Sequence, residues 1–160
     1  MKYSVIALAL LLAGCDAGVK PTPENIAKAF QPMAEAALKQ EAPGDLKKTD
    51  FSIVVYTPDK MDKSDAEDGV KVAFVFMCGR VAGRDAAGWR DTEEPVIIRG
   101  AYSYTENKLE EGQVFDTTLV NRLSDRTDRS IAENRLNEKC TGQPFTLADI
   151  NYEPHIISLK

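Results

Sequence analysis

Val70 to Cys78 is the segment that most restricts what this chain can fold into. Successive side chains of a strand point to opposite faces. Val70, Val72, Phe74, Phe76 and Cys78 therefore share one side, and Lys71, Ala73, Val75 and Met77 share the other. The first side carries the bulkier apolar set and is expected to look into the core, which turns Cys78 inward.

Other segments read as partners of this strand. Phe51 to Thr57 is β-branched and aromatic and is bounded by Pro58-Asp59. Val96 to Tyr104 places Val96, Ile98, Tyr102 and Tyr104 on one face. Residues 105–112 are polar and acidic and read as a turn, with Gln113 to Thr117 a short returning strand. Phe145 to Leu159 reads as one or two strands or an extended tail. Gly79, Gly83 and Gly88 lack both the P-loop and the dinucleotide spacing, and predict a bulge and a flexible turn. Trp89 lies in a polar, loop-like context, where it is either an anchor for a partner or folds back over the sheet edge.

Two helices are expected. Thr22-Pro23-Glu24 opens the first: threonine can cap, proline suits the first helical position, and glutamate favours the positive end. Ile26, Ala29, Phe30, Met33, Ala34, Ala37 and Leu38 then recur on one helical face. Pro32 should kink or divide this helix, and Pro43-Gly44 should end it. Asp128 can cap a second helix running to about Lys139, with Ile131, Ala132 and Leu136 as a narrow apolar side and Gly142 as its stop. A break is expected near Asp125. The fold class is α+β: a small antiparallel sheet with an N-terminal amphipathic helix and a second helix packed on one face.

The extreme N-terminus is of a different kind. Lys2 precedes an unbroken apolar run, Val5 to Ala13, about half the length of a spanning helix. A basic start and a short apolar run read as a secretory signal. The run closes in Leu12-Ala13-Gly14-Cys15, which resembles the lipobox of bacterial lipoproteins. The resemblance implies cleavage before Cys15, a diacylglycerol on its thiol and acylation of its new amine. More than one acyl chain gives stable attachment to a bilayer without a transmembrane span. Asp16 resembles the residue that retains such proteins in the inner membrane, and the outer membrane is the alternative. The implied organisation is a signal peptide over 1–14, a lipidated N-terminus and linker over 15–22, and a single periplasmic domain over 23–160. Beyond the leader, the chain resembles no characterised family.

With Cys15 given to lipid, Cys78 and Cys140 remain of three cysteines in an oxidising compartment. A Cys78–Cys140 disulfide is expected, against the alternative of two buried free thiols.

The formal net charge is −5, and loss of Lys2 with the leader makes the mature form one unit more acidic. That balance argues against a nucleic-acid partner, which needs clustered Lys and Arg. The acids of 59–68 lack the spacing of a calcium loop and read as a solvated connection. One histidine, His155, leaves too few ligands for a zinc site once the cysteines are used, and no G-x-S-x-G elbow supplies a nucleophile for it. Ser158 and Asp149 are near it only in sequence. Glu93/Glu94 and Glu110/Glu111 sit in stretches read as polar turns, where they should ionise freely rather than form a glycosidase pair. Arg80, Arg84, Arg90, Arg99 and Arg122 are expected in ion pairs with the interspersed acids. The reading is a non-enzymatic envelope lipoprotein, without cofactor or metal, that binds a protein partner. A periplasmic inhibitor or immunity protein against a hydrolase is the alternative, and a cell-wall-acting enzyme is the third possibility.

Overall fold

The computed structural model of the chain describes residues 18–42, 44, 46–60, 69–85 and 88–159, with the side chains of 84–85 and 88–92 excepted. Cys15, Asp16 and most of the acidic 59–68 connection lie outside the described residues.

The elements run α1 (Pro23–Glu41), β1 (Leu46–Pro58), β2 (Lys71–Asp85), β3 (Gly88–Tyr104), β4 (Leu109–Leu119), a 3-10 turn (Val120–Arg122), α2 (Arg126–Lys139), β5 (Phe145–Leu147) and β6 (Ile150–Ser158). The strands form one six-stranded sheet in the order β4-β3-β2-β1-β6-β5, with every pairing antiparallel. The architecture is α+β with one disulfide.

α1 starts where Thr22 Oγ1 accepts from the Asn25 amide at 3.2 Å, with Pro23 in the first helical position. It continues past Pro32 without dividing. Ile26, Ala27, Phe30, Ala34 and Leu38 are buried against the sheet. Facing them are Ile53 and Val55 of β1, Ala73, Val75, Met77 and Val81 of β2, and Val96, Ile98, Tyr102 and Tyr104 of β3. At Gly100 a side chain would collide with both the Phe30 ring and the Gln113 carbonyl, so the absent Cβ lets the helix settle on β3 and β4.

This arrangement corrects the reading of β2. The main core lies on the Ala73–Val75–Met77 face, because the smaller residues leave room for a helix to approach. Phe74, Phe76 and Cys78 face the second cluster, with Val54, Tyr56, Ile97, Ile150 and Tyr152, beneath the end of α2. Bulky aromatic side chains fill that side where its helical cover is sparse.

Several boundaries also differ. β1, β2 and β3 extend well past their apolar centres, carried by ladder pairing rather than by periodicity. A bulge falls between Val81 and Gly83, within the glycine-spaced stretch. Glu110 and Glu111 belong to β4 rather than to a turn. β4 is irregular at two points, where Glu110 and Phe115 have no partner in the β3 register. Asp125, not Asp128, caps α2: its Oδ1 accepts from the amides of Thr127 at 2.8 Å and Asp128 at 3.0 Å. On α2, Ala132 is buried and Leu136 half-buried, but Ile131 is solvent-exposed. Gly142, at φ 78°, turns the chain out of the helix, with the Gln143 amide bonded to the Glu138 carbonyl.

Candidate functional site

The densest chemistry among the described residues lies where the end of α2 meets β1, β2 and β6. Cys78 projects from the centre of β2 into the second cluster and bonds to Cys140, the residue that ends α2. Beside this bridge, the fully buried Tyr56 donates its hydroxyl to the Lys139 carbonyl at 2.8 Å. Burial pushes the Tyr56 phenol up to about 12, and the Glu138 carboxylate adds to the effect. Lys139 Nζ stands 3.6 Å from the centre of the Phe145 ring and 5.8 Å from that of Tyr56. Partial burial draws its pKa below the usual lysine value, against the opposing influence of Glu138. Phe145 stacks on Tyr152 with centroids 4.8 Å apart, so one face of its ring takes the ammonium and Tyr152 packs the ring from another side.

Next to these rings is an open hollow of about 250 Å³ lined by Asp59, Thr146, Asn151, Tyr152 and Glu153 among others. Asp59 accepts from the Asn151 amide at 3.0 Å and from its Nδ2 at 2.9 Å, while Thr146 donates to Asn151 Oδ1 at 2.8 Å. The two Asn151 bonds hold the Asp59 carboxyl below the usual carboxylate range. These polar groups satisfy one another across the β5–β6 hairpin and its junction with β1. A second hollow, between Val70, Ser103, Glu110 and Glu111, opens on the sheet surface.

The remaining candidates are dispersed. Trp89 belongs to β3, paired with Arg84, so its backbone is in a strand and not in a loop; its side chain is outside the described set. His155 is exposed on β6, and its Nε2 lies 2.9 Å from Thr57 Oγ1. Asp149 sits in the turn before β6, and Ser158 pairs with Ser52 at its far end. The three are therefore spread along one hairpin.

The adjacent glutamates do not act as pairs. Glu93 and Glu94 lie in β3 and point to opposite faces, which overturns the solvated-turn reading. Glu93 accepts from Thr49 Oγ1 at 2.9 Å and pairs with Arg80 at 3.6 Å. Glu94 is 3% exposed and accepts from Arg122 Nε at 2.9 Å. Burial of one partner of such a pair alone would be costly, so this contact joins the 3-10 turn to the sheet. Arg99 grips Asp116 through two nitrogens across the β3–β4 ladder, which raises the guanidinium pKa. Glu110 pairs with Lys108 at 3.1 Å. Of the five arginines expected to pair, Arg80, Arg99 and Arg122 stand in ion pairs with acids, and the side chains of Arg84 and Arg90 lie outside the described set.

Among the described residues there is no cluster of three metal-ligating side chains, and no helix is long and apolar enough to cross a membrane. Sequence reasoning found the two bridged cysteines but missed Tyr56 and Lys139. They are 83 residues apart in the chain, and neither carries a local signal of the other. Neither a protein-family model, nor a curated protein, nor a solved structure matches this chain.

Proposed function

We propose that this chain is a lipid-anchored envelope lipoprotein whose periplasmic domain binds a protein partner and catalyses no reaction. The cysteines support this reading. Cys78 and Cys140 are joined in a bond characteristic of oxidising compartments, which leaves Cys15, at the end of the apolar N-terminal run, as the cysteine available to lipid. Acylated Cys15 holds the domain to the bilayer through the short linker, and Asp16 directs it to the periplasmic face of the inner membrane. The dispersal of His155, the glutamates and the arginines into separate pairings favours a binding role over a catalytic one.

The test is metabolic labelling of the full chain with a palmitate analogue in a bacterial host, followed by membrane fractionation. Wild type is expected to be labelled and to sediment with the inner membrane, and Cys15→Ser to lose both properties. An unlabelled wild type removes the anchor. Hydrolysis of cell-wall material by the purified domain, abolished by His155→Ala, removes the non-catalytic half while leaving the anchor in place.

A further inference from the structure

α2 buries only Ala132 and half-buries Arg135, Leu136 and Lys139. A helix of 14 residues with so little apolar contact is not held to a sheet by burial. Yet its end stands over Val54, Tyr56, Phe76 and Ile97, all buried side chains of the second cluster. Leu136 packs half-buried against this cluster, and the bonded ties come from two adjacent residues: the Cys140 bridge to Cys78 and the Lys139 carbonyl held by Tyr56.

The chain on either side of α2 is moored independently. Upstream, Val120 is buried and Arg122 pairs with the buried Glu94, while Arg129 in the first turns of α2 donates Nη2 to the Leu123 carbonyl at 2.6 Å and ties the start of the helix to this mooring. Downstream, Phe145 is stacked on Tyr152 in the β5–β6 pair. The helix is thus a span between two fixed points, fastened near its end by one bond that a thiol can open.

We propose that α2 is a thiol-releasable flap: reduction of Cys78–Cys140 frees the helix from the sheet and uncovers the Val54–Tyr56–Phe76–Ile97 patch, while α1 and the sheet stay folded. The reductant is a dithiol. Cys140 is half-exposed and Cys78 is 5% exposed, so the incoming thiolate meets Cys140 Sγ first. It forms a mixed disulfide with Cys140 and expels Cys78 as a thiolate, which takes up a proton. The second thiol of the reductant then displaces Cys140, which is protonated in turn. The reductant leaves as an internal disulfide, and two electrons and two protons have passed to the protein. A disulfide oxidant reverses the exchange and closes the flap.

Amide hydrogen exchange on the purified full chain tests this, with and without dithiothreitol, alongside Cys78→Ala/Cys140→Ala without reductant. The amides of 130–140 are expected to exchange at least about tenfold faster in the reduced protein and in the variant. Those of α1 and of β1 to β3 are expected to remain slow, and an apolar dye should bind only the opened forms. Unchanged exchange in α2 would show that the bridge does not hold the helix. Equal acceleration in α1, or a variant that does not fold, would make the bridge a staple of the whole domain. Either result overturns the flap.

Discussion

The two helices lie on opposite faces of one sheet and are held there by different physics. α1 turns five buried residues onto the sheet over 19 residues of helix. α2 has one over 14. Burial of apolar area is non-directional and rests on no bond that a thiol can open. A covalent bridge, a tyrosine hydroxyl and an ammonium over a ring each depend on particular conditions: thiol for the first, alkaline pH for the other two. The contrast teaches that the α1 face is the stable foundation and the α2 face the responsive one.

The largest effect that sharpens this contrast is expected at Phe30. Its ring fills the notch over Gly100, and Phe30→Ala should lower unfolding free energy by about 3–5 kcal/mol. Ile131→Ala, on the exposed side of α2, should stay within about 0.5 kcal/mol in the same denaturant titration. Equal losses at the two sites would dissolve the distinction between the helices.

Tyr56→Phe removes a hydrogen bond and leaves the ring, so about 1 kcal/mol is expected. The folded-state pKa of Tyr56 stands near 12, above the ordinary value of 10. Its contribution is therefore complete below pH 10 and lost as pH rises from 10 toward 12. Tyr104 on the α1 side is also pushed up to about 12 by burial, so alkaline stability loss should be reduced in Tyr56→Phe rather than abolished. Stability measured between pH 8 and 11.5 checks this; a variant with the same alkaline slope as wild type would remove Tyr56 from the account.

A more local effect, measured by where it appears, is expected at the start of α2. Asp125→Ala deletes the acceptor for two amides and should cost roughly 0.5–1 kcal/mol, read as faster amide exchange in the first turn of α2 alone. Spread of that effect to α1 would mean that the helices are coupled through the sheet.

Much of the sheet was legible because alternation marks the centre of a strand. Val96, Ile98, Tyr102 and Tyr104 do share the core face. The strand ends were not legible. The polar stretch from Trp89 to Glu94 has no periodicity of its own and is strand only because part of β2 lies opposite to pair with it. The choice of core face on β2 was hidden for another reason: hydrophobicity ranks the aromatic side first, but helix approach favours the smaller side. Asp125 and Asp128 compete as caps by composition. Asp125 takes the cap and leaves Asp128 in the first turn, where a carboxylate favours the helix dipole. The cysteine pairing was readable from their number once the leader was set aside. The Tyr56–Lys139 contact was not, since it exists only through the packing of α2 on β1.

The irregular register of β4 has a consequence for the behaviour of many copies together. Molecules gathered on a surface meet at high local concentration, and an even outer strand would serve as a template for the next copy. The unpaired Glu110 and Phe115 break that template twice along β4, and the opposite outer strand, β5, is three residues long. The β4 rim therefore offers no long, even ladder, and the part of β6 that β5 does not cover contains Pro154, which has no amide to donate, so crowding favours separate molecules over ribbons.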